Sequence, residues 1–154
     1  MVRRTIDGFH RDDDGDWVAE LSCLHGQHVR HRPPFVDRAW VLTEGGRRER
    51  IDTDIDCPLC DRAELPSGLR VARTAGPFDN DTLPAGLRRP HQVGERTWGL
   101  LRVLAGSVDF RLETEPALEV HLEQGAEQAI PPQVPHVLTI AGPMTVEIDF
   151  LVAG

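Results

Sequence analysis

The segment Cys57-Pro58-Leu59-Cys60 constrains this chain more than any other. It places two thiols one knuckle apart at the end of a stretch too poor in large apolar side chains to hold itself together. A structural zinc takes four sulfur or nitrogen ligands in a tetrahedron, commonly one pair from a knuckle and one from a distant segment. The second pair is Cys23-x-His25, at the end of an alternating apolar-polar run upstream, and His28 and His31 lie near enough in sequence to replace His25 as the fourth ligand. Zinc binding worth roughly 10 to 16 kcal/mol would staple such a module. A Cys-x2-Cys pair can also be a redox pair, but a thioredoxin-type thiol needs a helix N-terminus after a βαβ pattern, and none precedes Cys57.

A chain of 154 residues can bury one core or divide into a stapled module and a smaller domain, and the sequence favours division. The expected bounds are a Cys/His-rich module over 1–64, a linker or edge strand over 65–76, and a β-barrel over 77–154. Hydrophobic content is 40%, and no apolar run reaches the roughly 20 residues that span a bilayer. Arg3 and Arg4 have no apolar stretch behind them, so no secretory signal is expected and the protein reads as cytoplasmic. A formal charge of −8 argues against nucleic acid as a partner. All 17 basic residues are arginine, which excludes a lysine nucleophile or Schiff base.

Punctuation separates the two halves. Ile6–His10 and Trp17–Ser22 read as a hairpin around the turn-forming Arg11–Asp16, and Pro33-Pro34 ends any strand there. Residues 37–50 fit a short helix or a strand-turn, with Gly45-Gly46 leaving both open. After Gly76 there is no helical period, only short β-type runs at Trp98–Leu104, Val108–Leu112, Leu118–Leu122, Gln128–Ile130, Val137–Ile140 and Thr145–Val152, the pattern of an all-β barrel or sandwich.

The run from Gly8-Phe9-His10 through Trp17-Val18-Ala19, Cys23-Leu24-His25-Gly26-Gln27-His28, Val29-Arg30-His31 and Pro33-Pro34 to Cys57-Pro58-Leu59-Cys60-Asp61 resembles a small bacterial domain family of unknown function. Leu24 stands where that family usually has glycine. The resemblance implies a coherent domain and no particular reaction.

In the second half, Gly125, Pro131 and His136 form the spacing G-x5-P-x4-H, in which a strand ends, a tight turn follows and the next strand aims an imidazole inward. This fits the second motif of the cupins. With Pro77-Phe78-Asp79, Thr82-Leu83-Pro84, His91, Glu95, Thr97-Trp98, Val103, Gly106 and Asp149-Phe150, residues 77–150 resemble the TehB-like and YeaR-like bacterial cupins of tellurite resistance. The first cupin motif is incomplete: Val93 stands where a second histidine would be, and Gly99 where the glutamate would. The resemblance therefore implies a mainly β chain, a zinc-stapled hairpin module followed by a cupin-like double-stranded β-helix. It leaves His91, Glu95 and His136 as a two-imidazole, one-carboxylate site for Zn, Fe, Mn or Ni with open coordination positions.

Trp98 is expected in the barrel wall, His121 in solvent beside Glu119 and Glu123, and Asp149 as a hydrogen-bond support. Three functions compete: a metal-dependent binder or enzyme for a small molecule of oxyanion stress, a noncatalytic metal-bound sensing or interaction module, and an Fe(II) cupin dioxygenase. No glycine-rich strand-turn-helix for S-adenosylmethionine is present, so methyl transfer is not expected. The expected partner is a small-molecule ligand, with a homodimer left open.

Overall fold

The computed structural model describes all residues from Met1 to Gly154. The chain divides into two compact units, Arg3–Cys57 and Pro58–Gly154 together with Met1–Val2.

The first unit is a four-stranded antiparallel sheet in the order β3-β2-β1-β4, made of β1 (Arg3–Arg11), β2 (Trp17–Leu21), β3 (Gly26–His28) and β4 (Asp54–Asp56). The acidic loop closes the β1–β2 hairpin because Asp12 Oδ1 accepts the backbone N–H groups of Asp14 and Asp16, and Gly15 takes a positive φ of 82°. The carboxylates of this loop therefore build its turn. The buried apolar side chains of the sheet are Ile6, Val18, Ala19 and Leu21, joined by Val29 just after β3 and by Val41 from the 3-10 turn Ala39–Leu42. That is a small core for a unit of this size.

Residues 44–50 form helix α1 (Glu44–Arg50), capped by the Thr43 hydroxyl, which accepts the Gly46 N–H at 3.0 Å. The glycine pair that leaves helix and turn open in the sequence is itself the reason the helix fits: a Cβ on Gly46 would stand 2.1 Å from the Trp40 carbonyl oxygen. The helix buries no residue. It is held instead by arginines lying on tryptophan rings, Arg47 over Trp17 at 3.8 Å and Arg50 over Trp40 at 5.0 Å.

The second unit begins with the short helix α2 (Pro58–Asp61) and continues in six strands, β5 (Leu69–Asp79), β6 (Trp98–Leu112), β7 (Leu118–Glu123), β8 (Glu127–Ile130), β9 (His136–Thr139) and β10 (Met144–Ala153). The fold is mainly β. Of segment 65–76, read from sequence as linker or edge strand, residues 69–76 lie in β5, an edge strand paired with β10, and 65–68 precede it.

The two runs expected at Trp98–Leu104 and Val108–Leu112 are one strand that changes partners midway. The first part of β6 pairs with β10 and β8, and residues from Ser107 onward pair with β7 and β9. Gly106 sits at the changeover with φ of 71°, where an added Cβ would lie 2.0 Å from the Pro143 carbonyl oxygen. A glycine break inside an apolar run is thus a corner in this strand. The interior packs Leu101, Val103, Phe110, Leu112, Ile130, Leu138, Val146 and Ile148 against one another.

Candidate metal centre and the paired barrel histidines

Cys23 lies in the turn after β2, and the chain reverses tightly there because Leu24 donates its N–H to the Leu21 carbonyl and Leu21 donates to that of His25. Leu24 adopts a positive φ of 75°. This is the left-handed region that glycine enters most easily, and it accounts for the usual glycine of the resembling family.

The turn carries Cys23 and His25 to the Cys57–Cys60 knuckle. The four ligand atoms lie within 4.8 Å of one another, and all four residues are buried. Cys23 Sγ and Cys57 Sγ are 3.8 Å apart, and each is 3.4 Å from His25 Nδ1. A tetrahedral zinc with Zn–S of about 2.3 Å and Zn–N of about 2.0 to 2.1 Å requires edges of about 3.8 Å between sulfurs and about 3.5 Å between sulfur and nitrogen. These three edges match, and Cys60 lies within the same 4.8 Å, so the group can hold a metal ion. The three cysteines are unbridged.

Burial alone would push the His25 proton off, yet the adjacent sulfurs of Cys23 and Cys57 outweigh it and raise its pKa to about 9. The cradle therefore favours positive charge at its centre. The other two histidines considered for the fourth position are engaged elsewhere. His28 Nε2 pairs with Asp12 Oδ2 at 2.9 Å, and His31 Nδ1 accepts the Arg38 N–H at 2.9 Å.

In the barrel, the Pro-rich turn before β9 brings His136 back beside His91. The two residues form an isolated antiparallel bridge, which places their side chains on one face. Their ring centroids are 5.5 Å apart at 78°. His136 is buried and stacks on Phe110 with centroids 6.0 Å apart and planes 26° apart. Burial lowers its pKa to about 4, against the opposing effect of the Val134 carbonyl, and His91 pushes in the same direction as burial. Its imidazole is thus neutral at physiological pH. A carbonyl can only accept, so the Nδ1–H points at Val134 O, 3.4 Å away, and the lone pair is on Nε2.

His91 and Glu95 are exposed. The one group of three or more histidine, cysteine and carboxylate ligands drawn together is the Cys/His cradle, so Glu95 does not join His91 and His136 at that distance. Phe110, which supports His136, carries no sequence signal beyond its place in an alternating strand.

Three other expectations meet definite surroundings. Trp98 is fully buried. Asp149 accepts from Thr74 Oγ1 at 2.6 Å and from Arg102 at 2.7 Å, a network across β5, β10 and β6. His121, expected in solvent, is half exposed yet pairs with Asp109 Oδ1 at 2.6 Å, because the two residues stand opposite each other on β7 and β6.

Residues 7–64 match the model of a family described as a protein of unknown function, DUF3565. Residues 73–148 match the model of the TehB-like domain. The barrel is similar to the TehB-like domain.

Two solved structures share the fold of the barrel. A protein from E. coli (strain K12) is 22% identical with a TM-score of 0.53, over 59% of this chain and 97% of its own. TehB from Haemophilus influenzae is 22% identical with a TM-score of 0.51, over 56% of this chain and 32% of its own. The match thus spans about a third of TehB. No curated protein matches the chain in sequence. No helix is long and apolar enough to cross a membrane.

Proposed function

We propose that the chain is a two-part metal protein related to tellurite-resistance proteins. In this reading Cys23, His25, Cys57 and Cys60 hold a structural zinc, and the TehB-like domain binds a divalent ion and a small molecule at the His91–His136 pair. The observation that supports the first part is the agreement of sulfur–sulfur and sulfur–nitrogen spacings with a zinc tetrahedron. With four protein ligands no coordination position is left for a reactant, which makes that site structural rather than catalytic.

The second part rests on the neutral, inward His136 imidazole beside a solvent-facing His91. A neutral imidazole lone pair suits a metal ion, and an oxyanion would be bound through that ion and not by the ring itself. Glu95 would complete the set only by a movement of its loop. The competing reading is a noncatalytic module, favoured by a barrel interior packed with apolar side chains.

Metal analysis of the purified chain tests both parts. Cys57→Ser should lose about one equivalent of zinc, and His136→Ala should lose any second metal while keeping the first. Retention of the full metal content by Cys57→Ser would refute the structural site. A His136→Ala protein with unchanged metal and ligand binding would place binding outside the barrel pair.

A further inference from the structure

The cradle gathers three thiols and one imidazole, and no disulfide joins the thiols. Cys57 is the member within reach of both other cysteines. Its Sγ lies 3.8 Å from that of Cys23, and Cys60 stands three positions on, in the single turn of α2. A bond between Cys23 and Cys57 needs an S–S separation of about 2.05 Å, so the two sulfurs would have to approach by about 1.8 Å.

Burial decides when this chemistry is open. Cys23 and Cys60 are 0% exposed and Cys57 1%, the condition in which a structural cysteine is inert toward reagents in solvent. Without metal the first unit keeps only the small core of Ile6, Val18, Ala19, Leu21, Val29 and Val41. A unit that loosens on metal loss delivers its thiols to solvent.

We propose that metal and an internal disulfide compete for Cys57. The loaded cradle resists oxidation, whereas the emptied one joins Cys57 to Cys23 or Cys60 and refuses metal until a reductant opens the bond. This regulation of the cradle rests on the structural-zinc reading.

The oxidant is a small-molecule disulfide. The Cys57 thiolate attacks one of its sulfurs and expels the first small thiolate, leaving a mixed disulfide. The thiolate of Cys23 or Cys60 then attacks the Cys57 sulfur and expels the second. Two protein thiols are oxidised, the small disulfide is reduced to two thiols, and the two protein protons pass to them. What remains is one cysteine and His25, two donors where a structural zinc takes four. A disulfide sulfur does not replace a thiolate as a ligand, so zinc alone cannot restaple the oxidised chain.

The test uses the full chain with oxidised glutathione as the small disulfide. Reduced, chelator-stripped protein should first take back about one equivalent of zinc. Failure of that control would sink the structural-zinc reading and the proposal with it. Stripped protein treated with oxidised glutathione and then freed of it should take up about a tenth or less of the zinc bound by the reduced chain, and a phosphine reductant should restore the rest. Loaded protein given the same treatment should keep its zinc. Non-reducing peptide mapping of the oxidised chain should find Cys57 in the new bond. With the control passed, four results would each overturn the proposal alone: undiminished zinc uptake by the oxidised chain, loss of zinc from the loaded chain as fast as the stripped chain loses uptake, a Cys23–Cys60 bond, or a disulfide between two chains in place of an internal one.

Discussion

His91 and His136 exchange both backbone hydrogen bonds, at 2.9 and 2.8 Å, and so hold their imidazoles edge to face across a two-residue bridge. The bridge joins the first residue of β9 to His91, which lies outside every regular strand. It brings two histidines 45 positions apart in the chain, 91 and 136, onto one face.

The buried member of this pair sets a pH dependence. His136 titrates near 4 when folded, because burial disfavours its charged form, against an ordinary value of about 6.5. Between those values the unfolded chain binds more protons than the folded one, so stability falls as pH drops from about 6.5 and levels off below about 4. The shift corresponds to about 3 kcal/mol. Urea unfolding of the metal-stripped barrel at pH 7 and pH 4.5 should show that loss, and His136→Leu should flatten the difference. A parent protein with equal stability at both pH values would contradict the account.

Gly106 gives a second expectation. Its φ of 71° and the 2.0 Å approach of Pro143 O leave no place for a side chain at the corner of β6. Gly106→Ala should destabilise the barrel by more than the roughly 1 kcal/mol of backbone strain alone, because the corner must also open. Thermal unfolding measures it; a Tm within error of the parent would show that the corner is pliable.

These two residues also show what the sequence discloses. His136 is legible because a proline-rich turn and a single imidazole leave a linear spacing, and the knuckle is legible for the same reason. Gly106 reads as a break between strands, since a one-residue change of partner inside β6 has no local signature. The company of His136 is still less visible: Phe110 meets it across the sheet, and Glu95, which the spacing adds to the set, ends on an exposed loop. Linear patterns report turns and ligand types, whereas meetings across a barrel depend on register. The arginine–tryptophan contacts around α1 are hidden for this reason too, their partners coming from β1, β2, the 3-10 turn and α1.

The docking of α1 yields a third expectation. A methyl on Gly46 would meet the Trp40 carbonyl oxygen at 2.1 Å, so Gly46→Ala should push the helix away from Trp40 and Trp17. No buried residue of α1 would pull it back. Faster amide exchange confined to Thr43–Ile51 is the expected result, with tryptophan fluorescence changed by loss of the overlying guanidinium groups. Unchanged exchange there would mean that the helix is held by something other than those contacts.

Metal withdrawal separates the two units. The first has few buried apolar side chains beyond Ile6, Val18, Ala19, Leu21, Val29 and Val41, so its stability is expected to depend on metal held by Cys23, His25, Cys57 and Cys60. Chelation at neutral pH should abolish amide protection in β1 to β4, while β6 and β10, packed in the barrel core, keep theirs. Acid should act in the same direction as the chelator: thiolates and a neutral His25 bind metal, protons compete for all four, and apparent affinity falls as pH falls. Raising the pH and restoring zinc should then recover protection, with protons released on uptake and measurable by titration calorimetry in buffers of different ionisation enthalpy. Full protection of β1 to β4 in metal-stripped protein would show that the small core suffices and that the cradle is not what holds the unit together.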